Sequence, residues 1–236
     1  MYLSFGLSWL GYPDRAWAKS REMVEVAQLS SVPYVLAQAS YYAALNPLLR
    51  GDGATAQKYA EEALALTEEL GLATLSTLAT TYHGATLIAQ GRYEEGIAGM
   101  RKGISLWRAT GGTPLNWYLC LLASGLGRAG RPQEGLEVVE EGLASVARTG
   151  QRFANPPLHH VKGELLLAQN PSDGAKAELC FRKAIEIGRR QSARSMELRA
   201  TTSLARLLNK QGNRDEARAM LADIYGWFTR ASTPRT

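Results

Sequence analysis

The chain is poor in cysteine and histidine and has no long apolar run. Two cysteines, Cys120 and Cys180, in 236 residues build no disulfide framework and match no zinc-ligand spacing. The run Trp117 to Gly127 is eleven residues, well short of the ~18–20 that a membrane span needs. The N-terminus, MYLSFGLSWLGYPDR, has no basic stretch ahead of its apolar part and no small-x-small cleavage site, which argues against a signal peptide. Together these absences point to a reducing, cytoplasmic setting with no membrane partner. Strand signals are missing too: there is no sustained two-residue alternation and no hairpin dipeptide between β-branched runs.

What is present reads as a folded protein. Hydrophobic residues make up 45% and charged residues 21%, too apolar for a disordered chain. The length allows one or two domains, and a globule of this size buries roughly 70–75% of its unfolded surface. Basic residues outnumber acidic ones 27 to 22, a formal net charge of +5. The excess is local. Residues 1–175 carry 14 basic and 16 acidic residues, and residues 176–236 carry 13 and 6. This argues against nucleic-acid binding along the whole length and leaves a local basic surface.

A unit of about forty residues repeats. A turn recurs as GYPDRA at Gly11, GDGATA at Gly51, GRYEEG at Gly91, GRPQEG at Gly130, NPSDGAKA at Asn170 and GNRDEA at Gly212. The spacings are 40, 40, 39, 40 and 42. Seven residues before each turn stand Ser4, Ala44, Gly84, Ala123, Gly163 and Ala205; five after stand Ala16, Ala56, Gly96, Gly135 and Ala217, with Ala177 in the fifth unit once two extra turn residues are allowed for. Small residues on both sides of a turn let two antiparallel helices approach closely.

The segments between turns have helical periodicity. Ala56, Ala60, Ala63, Leu64 and Leu70 form one stripe, and EGLEVVEEGLASVARTG and AELCFRKAIEIGRRQ repeat the pattern. Pro33, Pro114 and Pro132 lie near helix starts, and Gly71, Gly111 and Gly150 follow helices as stops. The expected fold is an all-α, right-handed α-solenoid of about six helix pairs, A and B in each, forming one domain over residues 1–236. The units run approximately 1–31, 32–71, 72–111, 112–150, 151–191 and 192–231. Helix A of the first unit shows only Leu3, Phe5, Leu7 and Trp9. It predicts an exposed apolar N-terminal edge, with either self-association or a missing upstream segment.

The turn glycine with its flanking small residues resembles the tetratricopeptide repeat, with a period of about 40 rather than 34. Long repeats of this kind resemble the C-terminal arms of bacterial signalling ATPases and class III adenylate or guanylate cyclase-type multidomain proteins. The residues that carry this most specifically are KGELLLAQ (162–169) and the segment from AELCFRKAIEIGRRQ to DIYGWFT (177–229). EEGIAGMRKGISLWRATG (94–111) and GRPQEGLEVVEEGLASVARTGQRF (130–153) match more weakly. Two departures stand out. ANPPL (154–158) replaces a Trp-Glu-Ala-Glu-Leu-like helix start, so its prolines shorten that helix. The chain also stops at RASTPRT, where the family continues into a further helix. The resemblance implies a non-enzymatic regulatory arm and reaches no cyclase or ATPase segment.

Other motifs carry little chemistry. GRYEEGIAG and GRPQEGLEV imitate half of a phosphate-binding loop, but Ile97 and Leu136 stand where its lysine belongs. His160 and Glu164 share a helix face, whereas His159 points roughly 100° away and no third metal ligand is evident. His83 and both cysteines read as packing residues with no base beside either thiol. No metal, cofactor or catalytic residue is expected. The aromatic residues read mostly as core. The basic cluster Arg182, Lys183, Arg189, Arg190, Arg194, Arg199, Arg206 and Lys210 reads either as solvated helix faces or as a site for an anionic ligand or acidic peptide. No aromatics interleave between Phe181 and Tyr225 as nucleic-acid stacking requires.

If A helices line a concave groove, the register maps Gln38, Tyr41, Leu78 and Thr81 onto its first half. It maps Trp117, Ser124 and Arg128, then His160 and Glu164, then Arg199, Thr202, Arg206, Asn209 and Lys210 onto the rest. That surface suits a protein or peptide partner with an acidic end. The alternatives are a solenoid that binds a small molecule or anion, a structural oligomer joined through uncapped ends, and a truncated gene fragment.

Overall fold

The computed structural model describes residues 2–30, 32–112 and 116–232, with side chains to residue 229. Its described residues contain helices and turns and no strand. Six antiparallel pairs follow one another: α1 (Tyr2–Leu10) with α2 (Pro13–Leu29); α3 (Pro33–Ala43) and α4 (Leu45–Arg50) with α5 (Gly53–Glu69); α6 (Ala73–Ala89) with α7 (Tyr93–Ala109); α8 (Asn116–Arg128) with α9 (Pro132–Thr149); α10 (Asn155–Gln169) with α11 (Gly174–Arg190); α12 (Arg194–Lys210) with α13 (Arg214–Ser232). Neighbouring pairs stack into a right-handed solenoid. Pro47 explains why the second A helix is split. Its ring clashes with the carbonyl four residues earlier and it donates no N–H, so α3 gives way to α4 at Ala44.

The repeat register has a direct structural cause. Gly11, Gly51, Gly91, Gly130 and Gly212 all take positive φ in the turn inside a pair, a conformation that costs glycine little. Gly71, Gly111 and Gly150 do the same between pairs, and Ser192 takes that place after α11 at φ 56°. The small residues flanking the turns are all buried. The tightest approach joins α6 to α7. A Cβ on Gly84 would lie 2.7 Å from the Gly96 carbonyl and from the Met100 nitrogen, so backbone meets backbone there.

Several expectations need correction. In the α5 stripe Leu70 is exposed at the helix end, and Thr67 takes the inward position. His83 is half-buried, 3.9 Å from Glu61, rather than a core histidine. Cys120 is buried, but Cys180 is only half-buried. α10 begins at Asn155 with both prolines in its first turn; its 15 residues compare with 17 in α6 and α12. Pro114 and the last residues of RASTPRT lie outside the described residues.

The first unit is not simply an open edge. α1 packs against α12 as well as α2. The Ser195 hydroxyl donates to the Ser8 carbonyl at 2.6 Å, and the Arg199 guanidinium donates to the Leu49 carbonyl at 2.7 Å. Trp9 meets Trp117 edge-on at 5.1 Å, and Tyr12 meets Trp227 at 5.7 Å. The two ends of the solenoid therefore touch and close it into a ring around a central lumen. The outward side of the first unit and of the start of the second is apolar and exposed, with Leu3, Val26, Leu29, Val32, Tyr34 and Val35 at the surface. A buried network fastens α1 inside: Asn46 donates to Ser4 at 2.7 Å and to Ser20 at 3.0 Å, and accepts from Ser8.

Candidate functional site

The A helices line the lumen. Two adjoining cavities open there, of about 270 and about 430 Å³. They share Leu49, His160, Glu164, Met196 and Arg199. The first is largely apolar, walled by Ile88, Trp117, Leu121, Val161 and Met196, with Ser124 and Arg128 at one side. The second is lined by Arg50, Thr202, Ser203 and Arg206, and is bordered by Tyr225 and Phe228 from α13.

Thus Trp117, Ser124, Arg128, His160, Glu164, Arg199, Thr202 and Arg206 stand on the walls of one continuous space. Lys210 lines a neighbouring cavity with Glu164 and Arg206, and Asn209 is exposed beside it. The first half of the mapped groove fails. Tyr41 and Thr81 are 2% and 1% exposed, and Leu78 is also buried. Tyr41 packs into a row with Tyr42, Tyr82 and Tyr118, while Thr81 turns its hydroxyl back to the Thr77 carbonyl. Gln38 lines a separate hollow among α1, α2 and α3. Thr81 faces its partner helix α7, where Gly103 leaves room for its hydroxyl, and Tyr41 faces the next A helix through Tyr82, so neither side chain reaches the lumen.

The same register identifies wall residues the sequence reading missed. Leu49 stands two residues before its turn, as Arg128 and Lys210 do. Leu121, Val161 and Ser203 all stand nine before theirs, and each lines one of the two cavities. Tyr225 and Phe228 lie on a B helix and carry no such signal.

Ser203 joins two residues that the sequence had paired. His160 Nε2 lies 2.9 Å from Ser203 Oγ, which donates to Glu164 Oε1 at 3.1 Å. His160 Nε2 is itself 3.4 Å from Glu164 Oε1. The hydroxyl has one proton, which goes to the carboxylate, so the ring nitrogen acts as donor to Ser203. A serine nucleophile needs the opposite, a ring nitrogen free to accept and a carboxylate on the far side of the ring. Serine and carboxylate here meet the same nitrogen, so the trio orients polar groups on the wall. Burial holds the His160 pKa below its ordinary value, opposed by Glu164 and assisted by Arg199 and Arg206. The Cys120 thiol is pushed up to about 12 by burial. No group of three or more His, Cys, Asp or Glu converges among the described residues.

Electrostatics separates the lumen from the outside. Outer cations are matched across units: Arg101 with Glu134 at 2.7 Å, Arg131 with Glu94 at 3.1 Å, Lys162 with Glu140, Arg182 with Glu216, and Arg108 with Glu141. The C-terminal basic cluster divides on this line. Arg182, Lys183, Arg189, Arg190 and Arg194 all pair with carboxylates. Arg199, Arg206 and Lys210 face the concave side with no carboxylate within 4.0 Å among the described residues. Arg128, on the same side, lies over the Tyr93 ring at 5.5 Å. Desolvation lowers the Arg199 pKa, although its side chain stays open to water at the cavity mouth; the guanidinium remains charged at neutral pH.

The fold and its glycine turns define a tetratricopeptide-type repeat solenoid. Solved structures share it at low identity. A Rap protein complexed with competence and sporulation factor superposes with a TM-score of 0.71 at 13% identity, covering 96% of this chain and 63% of that one. Aspartyl phosphate phosphatase F from Bacillus subtilis gives 0.67 at 15% identity, over 95% and 57%. The nearly identical TPR-like repeats of a putative kinesin light chain from Podosopora anserina give 0.56 at 17%, over 86% and 100%. This chain thus spans about six tenths of the first two. One stretch of 114 residues is 34% identical to an uncharacterized protein of Rhizobium meliloti (strain 1021), covering 48% of this chain and 11% of that protein. No protein-family model matches the chain. A shared fold at this distance assigns no chemistry, and no helix among the described residues is long and apolar enough to cross a membrane.

Proposed function

We propose that the chain is a protein-interaction repeat module that takes an acidic segment of a partner protein at the mouth of its lumen. One observation carries this reading: Arg199, Arg206 and Lys210 face the concave side with no carboxylate within 4.0 Å among the described residues, while Arg182, Lys183, Arg189, Arg190 and Arg194 are paired within the fold. An arginine fork binds a carboxylate through two parallel hydrogen bonds. The Rap neighbour is described in complex with a factor, which supports a binding role for this architecture. The test is fluorescence anisotropy with a labelled Glu/Asp-rich peptide and its Gln/Asn counterpart. The triple reversal R199E/R206E/K210E should weaken the acidic peptide at least tenfold, and rising salt should weaken it in the unaltered protein. Unchanged affinity after reversal would sink the reading.

Within that role, the chain resembles the regulatory arm of a cyclase- or ATPase-type signalling protein. The Rhizobium meliloti match, where the similar stretch is a small part of a much longer protein, supports this. A partner that prefers one curvature of the solenoid shifts the population of curvatures, and an attached ATPase reads that shift. Reading the coding frame upstream of Met1 tests it: a P-loop ATPase or cyclase segment in frame supports the arm, and an untranslated upstream region refutes it.

The exposed Leu3, Val26, Leu29, Val32, Tyr34 and Val35 favour a second reading, self-association through the first unit and the start of the second. Sedimentation at rising concentration should show a larger species that V26E/L29E abolishes; a monomer at every concentration rules this out.

A further inference from the structure

We infer that the lumen is a receptor site for a small organic monocarboxylate with a compact apolar body, separate from any protein bound at its mouth. It shares Arg199 and Arg206 with the interaction reading and adds to them the apolar cavity, which the peptide does not need. The two adjoining cavities supply the two halves of such a ligand. The cavity of about 270 Å³ is walled by Ile88, Trp117, Leu121, Val161 and Met196 and holds an apolar body. It opens past Arg199 into the space faced by Arg206, which receives the carboxylate. The size is at the small end of the ~300–1,000 Å³ typical of ligand pockets, which fits a metabolite better than a protein segment.

The charge balance sets the valence. Arg50 also faces the second cavity but is tied to Asp14 at 2.7 Å. Of the remaining groups Glu164 offsets one of the two arginines Arg199 and Arg206, and His160 is held toward its neutral form by burial. About one positive charge is left over in that second cavity, Arg128 of the first being drawn over the Tyr93 ring, which suits a carboxylate there and leaves a phosphate dianion incompletely matched. The trio His160–Ser203–Glu164 presents hydrogen-bonding groups beside that charge. The ligand would touch Leu49 on the second unit and Met196 and Arg199 on the sixth. Its occupancy therefore ties together the two ends that close the ring.

The test uses butyrate, hexanoate, phenylacetate and indole-3-acetate, each paired with its neutral amide, and inorganic phosphate. Tryptophan fluorescence reads binding, because Trp117 forms a wall and Trp9 touches it. Calorimetric titration checks the indole pair, whose own emission overlaps, and hydrogen exchange of the α1 amides reports ring closure. At least one acid should bind saturably, at least tenfold tighter than its amide and than phosphate, and slow exchange in α1. Arg206→Gln, which breaks no hydrogen bond of the fold, should weaken that acid at least tenfold, and Glu164→Gln should tighten it severalfold. Ala89→Leu or Ser124→Leu, which fill the apolar cavity, should abolish acid binding yet leave the acidic peptide bound. If no acid outcompetes its amide, if phosphate binds tighter, or if neither filling variant that folds affects binding, the inference is wrong. Saturable acid binding with no acidic-peptide binding in the unaltered protein would instead overturn the interaction reading alone.

Discussion

The lumen and the outer surface of this ring carry the same residue type, arginine, in opposite conditions. Outside, Arg101, Arg108 and Arg182 bridge successive B helices through carboxylates one unit away. Inside, Arg199 and Arg206 meet backbone or water. Matching charges contribute to stability; unmatched charges raise the local potential, which attracts a ligand at the expense of some self-repulsion. The difference teaches where to look for function in a repeat protein: not where the charge is densest, but where the fold leaves it unpaired.

Glu197 sharpens the comparison most, and should produce the largest effect. It is fully buried, yet accepts from Arg189 at 2.6 Å and Arg194 at 2.7 Å. Removing both arginines (R189A/R194A) strands a buried carboxylate and should cost about 3–5 kcal/mol in urea unfolding. E197A should cost less, because both guanidinium groups reach water. A smaller loss in the double variant than in E197A would show that the outer pairing is not what stabilises this seam.

Next comes the seam between α6 and α7. Gly84→Ala places a methyl group against backbone that has no side chain to yield, and should cost about 2–3 kcal/mol in the same assay. Arg206→Gln should change stability by less than about 0.5 kcal/mol, while weakening the anion binding argued above at least tenfold. That pairing of a silent stability effect with a lost ligand separates inside from outside. On the outer face, Arg108→Ala breaks the pair with Glu141 and should cost below about 1 kcal/mol, an effect that half-molar salt erases.

Much of this fold was legible in the sequence because a repeat writes each constraint six times. One glycine turn could be chance; glycine turns with buried small residues at the same offsets, from Ser4 to Ala217, could not. The C-terminal half of the groove was legible for the same reason. Trp117, His160, Glu164, Arg199 and Arg206 occupy register positions that the fold turns inward. Closure of the ring was not legible. The bond from Ser195 to Ser8 spans 187 residues, and no periodic signal encodes a contact that occurs once. Tyr41 and Thr81 are correctly placed on A helices but turn toward neighbouring helices, Tyr41 into the tyrosine row and Thr81 against Gly103 of α7, instead of facing a partner. Net charge misled in a similar way: Arg182, Lys183, Arg189, Arg190 and Arg194 pair with carboxylates, whereas Arg199, Arg206 and Lys210 on the inner face and Arg214 and Arg218 on α13 have no carboxylate within 4.0 Å among the described residues.

The smallest effect concerns pH and acts on the lumen from within. His160 faces Glu164 on its own helix and Arg199 and Arg206 on α12, and burial is the largest influence on it. Its folded pKa lies below 6.5, so the unfolded chain takes up its proton first. Stability from this residue is therefore fully present above about pH 6.5 and falls as pH drops through the lowered folded value. His159 is shifted the same way by burial and by Lys162 and Lys183, so H160Q should flatten the acid side of the stability profile in part and H159Q/H160Q further. The ligand behaves oppositely. Protonating His160 adds a positive charge beside Arg199 and Arg206, so carboxylate affinity should rise modestly between pH 7 and 5.5 in the unaltered protein and stay flat in H160Q. A profile that falls over that range in both proteins would place the anion away from His160, and with it away from the lumen wall.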